Sequence, residues 1–184
     1  MNNTMVPKAM FFTRGVGKHQ HSLQSFEAAL RHAGIAQLNL VRVSSIFPPK
    51  CKIISRTKGL SMVEPGSIIY CVIAECRTNE PNRLEAAGVG LAVPADRDSY
   101  GYISEHHGFG MNRTKCEDYV EDMAATMLAT THGIELDPEK AYDERLEIYK
   151  SKKLVVTCRS AVQTAEGDKN GLWTTVMAAA VFIL

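Results

Sequence analysis

The sequence predicts a single α+β domain, in which two principal helices cover mainly antiparallel sheets of about seven or eight strands. Its 184 residues are 45% apolar and 22% charged, a composition typical of a soluble globule that buries its own core. Two segments combine helical spacing of apolar residues with helix start and stop signals. The remaining segments are short, β-rich and separated by Gly and Pro. Because no repeat or linker interrupts them, residues 1–184 are expected to form one domain.

The first part of the chain is predicted to contain two strands and the first helix. Ala9–Thr13 reads as a strand and is followed by a predicted loop, RGVGKHQH. The helix is expected to have Ser22 as its N-cap and to end before Gly34, which suits the C′ position. The predicted buried stripe of this helix is Leu23, Phe26, Leu30 and Ala33. Gln37–Val43 alternates in polarity, and this pattern predicts a strand.

The middle of the chain is predicted to be mainly β-structure, followed by the second helix. The β-rich segments are Cys51–Ser55, Ser67–Arg77, Glu85–Pro94 and Ser99–Glu105. Thr114 and Glu117 have the spacing of a capping box at the start of the second helix, and Gly133 would end it. The predicted buried face of this helix is Val120, Met123, Met127 and Leu128.

The C-terminal segments Leu154–Ala165 and Leu172–Leu184 are predicted to pair as a hairpin around the turn EGDKNG. Leu172–Leu184 is apolar on both faces. We therefore expect it to be a central strand that is covered by a layer on each side.

Charge, hydropathy and cysteine content argue against several classes of protein. The net charge is +1, from 21 basic and 20 acidic residues without a basic cluster, so nucleic-acid binding is not expected. No apolar run is long enough to span a membrane, and no secretion signal is recognised. The five cysteines are irregularly spaced, which predicts free thiols in a reducing cytoplasm.

Two adjacent serines, Ser44 and Ser45, lie between the strand Gln37–Val43 and a double proline. The ordinary interpretation is a turn in which the hydroxyls bond to nearby backbone. The reactive interpretation is that the Ser45 hydroxyl attacks a strained Ser44 carbonyl. An N-to-O acyl shift, β-elimination and hydrolysis would then leave a pyruvoyl group attached to Ile46. The two prolines would help by restricting the backbone after the junction.

Three stretches resemble one known family, the pyruvoyl-dependent arginine decarboxylases. AALRHAGIAQLNLVRVSSIFPPKCKII resembles the family's processing region, YGYISEHHG its segment with the catalytic Glu, and WTTVMAAAVF its Ala-rich strand. The likeness covers most of the chain from about Phe26 onward. It implies a four-layer αββα sandwich with mainly antiparallel sheets. It also implies a homotrimer or hexamer with active sites between neighbouring protomers.

The resemblance implies cleavage between Ser44 and Ser45 into a β chain, residues 1–44, and an α chain, residues 45–184. Ser45 would become the pyruvoyl cofactor of a cytoplasmic enzyme that converts L-arginine to agmatine and CO2. Glu105 would donate a proton to the α-carbon after decarboxylation. Because a carboxyl donates at neutral pH only if its pKa is raised, Glu105 is expected to be buried near apolar groups.

The resemblance also assigns substrate-binding and processing positions. Asn39 matches a family position connected with processing and with substrate binding, where its amide could stabilise an oxyanion. The alternative is that the Asn39 side chain hydrogen-bonds to a neighbouring loop. Glu27 stands where the family typically has Asp, and would bind the substrate guanidinium through both oxygens. An exposed i,i+4 pair with Arg31 is the alternative for Glu27. The apolar substrate-binding positions, most of which could equally be core, are Leu23, Leu30, Ala36, Leu38 and Ile46.

Three other functions stay open from the residues alone. Because Glu27 would set side-chain selectivity, the enzyme could decarboxylate another amino acid. Two clusters, His19-x-His21 and Glu105-His106-His107, resemble parts of a metal site, but no third cluster has ligand spacing and no metal is expected. A homologue that never cleaves is the third alternative. The pathway, polyamine biosynthesis or acid resistance, also stays open.

Overall fold

A computed structural model describes residues 5–134 and 155–184 of the chain. These residues form nine strands and three helices. In chain order they are β1 (Ala9–His19), α1 (Ser22–Ala33), β2 (Asn39–Arg42), β3 (Ile46–Phe47), β4 (Lys52–Ile53), α2 (Arg56–Leu60), β5 (Ile68–Thr78), β6 (Leu84–Pro94), β7 (Gly101–Phe109), α3 (Arg113–Thr131), β8 (Val155–Glu166) and β9 (Trp173–Ile183).

Two sheets pack face to face, and helices cover the outer face of each. The first sheet has the strand order β2-β5-β9-β1-β4, and the second has the order β3-β7-β6-β8. Helices α1 and α2 pack on the first sheet, and α3 packs on the second. The only parallel pairs in the described part of the chain are β1–β4 and β2–β5. The predicted α+β class with αββα layers and mainly antiparallel pairing is confirmed.

The largest core cluster lies between the two sheets, and β9 runs through the centre of the first sheet. β9 pairs with β1 on one side and with β5 on the other. Its even-numbered residues from Val176 to Phe182 face the second sheet, and its odd-numbered residues from Met177 to Ile183 face α1 and α2. This arrangement confirms the prediction of a central strand. Since both faces are buried, neither face of this strand is polar.

The predicted hairpin of the last two strands is wrong. β8 pairs with β6 in the second sheet, whereas β9 lies in the first sheet. The turn between them, closed by a bond of 3.0 Å from Gly171 N–H to the Asp168 carbonyl, therefore leads from one sheet to the other. Turn residues indicate that the chain reverses, but strand partners depend on the packing of distant segments. Leu154, the first residue of the predicted pair, lies outside the described residues.

β1 continues through the segment that was predicted to be a loop. Gly15 and Gly17 lie directly beneath α1, where a Cβ on Gly15 would collide with the Ala29 carbonyl and one on Gly17 with the Ser25 carbonyl. Glycine in a strand often marks such a close approach of another backbone. These glycines bring the helix onto the strand and do not end it.

This close approach also decides which face of α1 is buried. The buried residues of α1 are Ser25, Ala29 and Ala33. Leu23, predicted to be part of the buried stripe, is 73% exposed, while Phe26 and Leu30 are half-buried. The N-cap is His21 instead of Ser22, without a side-chain cap, and Gly34 follows the helix with a φ of 79° as predicted.

Helix α3 is present as predicted but begins earlier. Its N-cap is Asn112, whose side chain accepts a hydrogen bond of 2.9 Å from Lys115 N–H, so the capping box at Thr114 is not formed. Gly133 follows the helix with a φ of 67°. The buried face is Cys116, Val120, Ala124, Ala125, Leu128 and Ala129, with Met123 and Met127 at its margin.

Candidate active site

The Ser44–Ser45 peptide bond lies where the chain passes from one sheet to the other. Before it, β2 belongs to the first sheet, and Val43 N–H donates to the Cys71 carbonyl of β5 at 3.0 Å. After it, β3 belongs to the second sheet, and Ile103 N–H of β7 donates to the Ser45 carbonyl at 2.7 Å. The two sides of this bond are therefore attached to different sheets.

Ser45 is the central residue of a γ-turn. Ile46 N–H donates to the Ser44 carbonyl oxygen at 3.0 Å. Ser45 is not among the residues with positive φ, so the turn has the inverse form, a low-energy conformation. Neither Ser44 nor Ser45 has a positive φ, so the expected strain is not present as a left-handed backbone conformation. The hydrogen bond does, however, polarise the carbonyl that the Ser45 hydroxyl would attack.

An apolar groove runs beside this junction. Ser44 is exposed on the wall of the groove, and Ser45 is half-buried next to it. The residues that line the groove are Met5, Val6, Pro7, Val43, Ser44, Ile46, Pro48, Pro49, Tyr70 and Phe182. Pro48 is buried and accepts a bond from Cys51 N–H at 3.2 Å, so the double proline starts a tight turn directly after β3.

Glu105 lies on β7, the strand that holds Ser45. Ile103 packs in the core between the sheets, and Glu105, two residues further along, lies on the same face of the strand. Two residues of a strand span about 7 Å. β7 therefore places Glu105 about 7 Å along the strand from Ile103, the residue whose N–H holds Ser45.

The expectation that Glu105 is buried is wrong for the single chain, in which Glu105 is exposed. β3 pairs with β7 only at Gly101 and Tyr102, so it ends before it reaches Glu105. The carboxylate is nevertheless close to the first sheet. Burial raises the pKa of the Cys71 thiol to about 11; the Arg42 charge opposes this rise and the Glu105 charge adds to it.

Asn39 begins β2, five residues before Ser44. Its side-chain amide donates to the Gly66 carbonyl at 2.8 Å. Five extended residues span about 16 Å, so this amide lies out of reach of the Ser44 carbonyl within one chain. The structure shows the loop-bonding alternative for Asn39.

Glu27 is exposed on α1, where Arg31 binds both of its carboxylate oxygens. Arg31 Nε donates to Oε1 at 3.2 Å, and Arg31 Nη2 donates to Oε2. A second groove passes this pair, and none of its lining residues belongs to the groove beside Ser44. Within one chain, the structure does not bring Glu27 and Ser45 together.

The apolar substrate-binding positions are also spread over the chain. Leu38 is buried and Leu30 is half-buried in the core cluster beneath α1, and Ala36 is half-buried. Leu23 is 73% exposed and Ile46 is 41% exposed, which leaves both available for contact with another molecule. Leu30 and Leu38 thus contribute to the core, whereas Leu23 and Ile46 lie at the surface.

Comparison with known proteins supports the resemblance seen in the sequence. The sequence profile of the pyruvoyl-dependent arginine decarboxylases (PvlArgDC) matches residues 9–184. The chain belongs to this family. A probable pyruvoyl-dependent arginine decarboxylase of Chloroherpeton thalassium is 54% identical over 180 residues, which cover 98% of this chain and 99% of that protein.

Two further relatives are similar over nearly the same length. Pyruvoyl-dependent arginine decarboxylase 2 of Methanosarcina acetivorans is 53% identical over 179 residues, 97% of this chain and 98% of that protein. The pyruvoyl-dependent arginine decarboxylase of Methanococcoides burtonii is 52% identical over 180 residues, 98% of this chain and 100% of that protein.

The enzymes of this family are lyases that use a pyruvoyl group derived from a serine. Ser45 fits such a group because it has the β-oxygen that the chemistry requires and is half-buried at the junction of the two sheets. The group would form the new N-terminus of the segment that starts at residue 45. Ile103 N–H already holds the carbonyl of that residue.

Several groups at this site could not be found from side-chain motifs. The contacts of Ile103, Cys71 and Ile46 are made by main-chain atoms, which leave no signal in the residue types. Their positions follow from strand register, which the sequence does not give directly.

A buried carboxyl, Glu85 on β6, was also missed. Its side chain is 0% exposed, and neither oxygen has a hydrogen-bond partner among the described residues. Burial raises its pKa to about 8, while the Lys18 charge opposes the rise. Glu85 has the same parity as the core-facing residues of β6, so strand periodicity could have revealed it.

The clusters considered as metal ligands make other contacts. The rings of His19 and His21 lie 5.7 Å apart, and His106 packs on Tyr119 at 4.5 Å. Within residues 5–134 and 155–184, no three or more His, Cys, Asp or Glu side chains are grouped so that they could hold a metal ion.

The prediction that the cysteines are free thiols is confirmed. All five cysteines are free thiols, and four of them are buried. None of the helices in the described ranges is sufficiently long and apolar to cross a membrane.

Proposed function

We propose that the chain cleaves itself between Ser44 and Ser45 and then converts L-arginine to agmatine and CO2. The observation that carries this proposal is the position of the Ser44–Ser45 bond between two segments that are attached to different sheets. Family membership supports both the pyruvoyl chemistry and arginine as the substrate.

The proposed cleavage uses only groups of this chain and water. The Ser45 hydroxyl forms a bond to the Ser44 carbonyl carbon; the C–N bond breaks and the nitrogen takes up a proton. Loss of the Ser45 α-proton then breaks the Cβ–O bond and releases Ser44 as a carboxylate. Water finally replaces the nitrogen, which leaves as ammonia. Ile46 N–H, which lies 3.0 Å from the Ser44 oxygen, would stabilise negative charge there in the first step.

The two proposed fragments, residues 1–44 and 45–184, would stay associated. The first contributes β1 and α1 to the core, and its β2 is paired with β5 along Asn39–Arg42. The second fragment begins at Ser45, whose carbonyl accepts a hydrogen bond from Ile103 N–H of β7. Cleavage of the crossing bond would therefore leave the paired strands in place.

In the proposed reaction, the pyruvoyl group supplies a ketone that bonds to the substrate amine and accepts the electrons freed as CO2 leaves. Glu105 would return a proton to the α-carbon. This task requires the carboxyl to be shielded from water, and an edge of β7 is left uncovered beyond β3. We infer that a second protomer covers this edge.

The remaining site residues fit a site between protomers. Glu27 and Asn39 do not reach Ser45 within one chain, so they would act on the site of a neighbouring protomer. Exposed Leu23 and Ile46 would complete the pocket, together with Leu30, Ala36 and Leu38. A homotrimer or hexamer is the proposed assembly. A reducing cytoplasm is proposed as its compartment, which suits the free thiols.

The test of this function is release of agmatine and CO2 from L-arginine by the purified protein, with ornithine, lysine and histidine as competing substrates. We expect arginine to be preferred, because only its guanidinium can bind both oxygens of Glu27. Equal rates with arginine and ornithine would refute that pairing. Equal rates would instead favour the second candidate function, decarboxylation of another amino acid. This candidate is considered because Glu27 is one methylene longer than the Asp that is typical of the family at this position. A cleaved protein inactive on arginine would also refute arginine as the substrate.

A further inference from the structure

Arg31 occupies the position on Glu27 that the proposed function reserves for the substrate. The Arg31 guanidinium donates to both carboxylate oxygens, through Nε at 3.2 Å and through Nη2. This bidentate arrangement is the one by which a carboxylate typically binds a guanidinium. The chain thus supplies a guanidinium of its own to the residue that would select arginine.

We propose that Arg31 competes with the substrate for Glu27 and thereby weakens the binding of arginine by the enzyme. This inference rests on the proposed role of Glu27. A carboxylate has two oxygens, and only one guanidinium can bind both of them end-on at the same time. A substrate that binds in this way has to displace Arg31 or accept a poorer arrangement.

The surrounding groove strengthens the competition. It is lined by Lys18, His19, Gln24, Glu27, Ala28, Arg31 and His32. Glu27 is the only carboxylate among these residues, whereas Lys18 and Arg31 are both cations. Among the residues that line the groove, only Glu27 therefore attracts an entering guanidinium, and Arg31 is already paired with it.

The pair is also weak enough to be displaced. The Glu27 side chain is 51% exposed and the Arg31 side chain is 70% exposed. Exposed pairs at i,i+4 contribute little to stability and are screened by salt. Arg31 is thus expected to tune the affinity for arginine and not to block the site.

The experiment replaces Arg31 with Gln in the processed, assembled enzyme. We expect the KM for arginine to fall about twofold, the change that loss of an exposed i,i+4 pair corresponds to, with kcat unchanged. The Kd of agmatine, measured by calorimetry, should fall by the same factor. Arg31→Lys keeps the positive charge but loses the guanidinium that binds both carboxylate oxygens. Its KM should therefore lie between those of the wild type and Arg31→Gln. Added salt should bring the KM values of wild type and Arg31→Gln together.

The direction in which Arg31→Gln changes the KM for arginine decides whether Arg31 competes with the substrate. If Arg31 instead orients Glu27 for the substrate, Arg31→Gln would raise KM, and the competition would be refuted; an unchanged KM would refute it as well. Arg83→Gln, which removes an exposed pair with Glu80 elsewhere, serves as a control that should leave KM unaltered.

Glu27→Gln separates this inference from the proposed function. If Glu27→Gln raises KM while Arg31→Gln does not lower it, only the competition fails. If neither variant changes KM, Glu27 is not the substrate's partner. If the wild-type enzyme does not act on arginine, the proposed function itself fails.

Discussion

Glu85 and Glu105 lie on neighbouring strands and belong to the same face of the second sheet, yet their environments are opposite. Glu85 is fully buried without a partner among the described residues, and its pKa is raised to about 8. Glu105 is exposed, two residues from the amide that holds Ser45. The fold thus buries one carboxyl of this face and leaves exposed the carboxyl that lies nearer to Ser45. For Glu105 to act as the proposed general acid, its burial would have to come from outside the single chain.

The largest expected effect is on catalysis by Glu105. Glu105→Gln should cleave at Ser44–Ser45 normally but decarboxylate arginine about 10²- to 10⁴-fold more slowly, because it lacks the proposed general acid. Steady-state assays on the cleaved variant measure this change. Glu85→Gln is the matched control and should keep most of its activity. Similar losses in both variants would remove the distinction between the two carboxyls.

The second largest expected effect is on the pH dependence of the free energy of unfolding, and Glu85 is its cause. Its pKa rises from 4.5 in the unfolded chain to about 8 in the folded chain, so the folded state binds the proton more tightly. The stabilisation from this proton is complete below about pH 4.5 and is lost as the pH rises towards 8, at about 1.4 kcal/mol per pH unit.

Glu85→Gln should remove this pH dependence. Measured by urea unfolding in an uncleavable Ser45→Ala background, the stability of the variant relative to its parent should increase from pH 5 to pH 8 and then level off. A constant difference between the Glu85 variant and its parent at all pH values would contradict the raised pKa.

The smallest effect concerns Lys18, whose charge lowers the pKa of Glu85. Lys18→Gln should move the titration of the Glu85 carboxyl to higher pH, which carboxyl NMR on the Ser45→Ala protein can follow. Lys18 also lies 3.4 Å from Asp168. Asp168→Asn releases Lys18 from that pair and provides the control for a general change in the region. A downward shift with Lys18→Gln would show that another group governs Glu85.

The contrast between the two carboxyls also shows where reading the sequence succeeds. The α+β class, the two principal helices and the central strand β9 could be predicted because they follow from local periodicity and from apolar content on both faces. The segment around Ser44 and Ser45 was identified because its residue order resembles a family motif.

The errors arose where distant segments meet. Gly15 and Gly17 indicated a loop, although they serve the contact between β1 and α1. The turn after Glu166 suggested a hairpin, although its two strands join different sheets. The environment of Glu105 depends on how far β3 pairs along β7, and this extent is set by contacts between segments far apart in the chain. Local patterns contain no record of such contacts.

The most direct test of the account is the intact mass of the purified protein beside that of Ser45→Ala. The wild-type protein should give two fragments, residues 1–44 with a free carboxylate and residues 45–184 with a pyruvoyl N-terminus, while Ser45→Ala stays whole. Together the fragments should have gained one water and lost one ammonia relative to the intact chain. A single unmodified chain of 20.3 kDa from the wild-type gene would contradict the central claim that Ser45 becomes the cofactor.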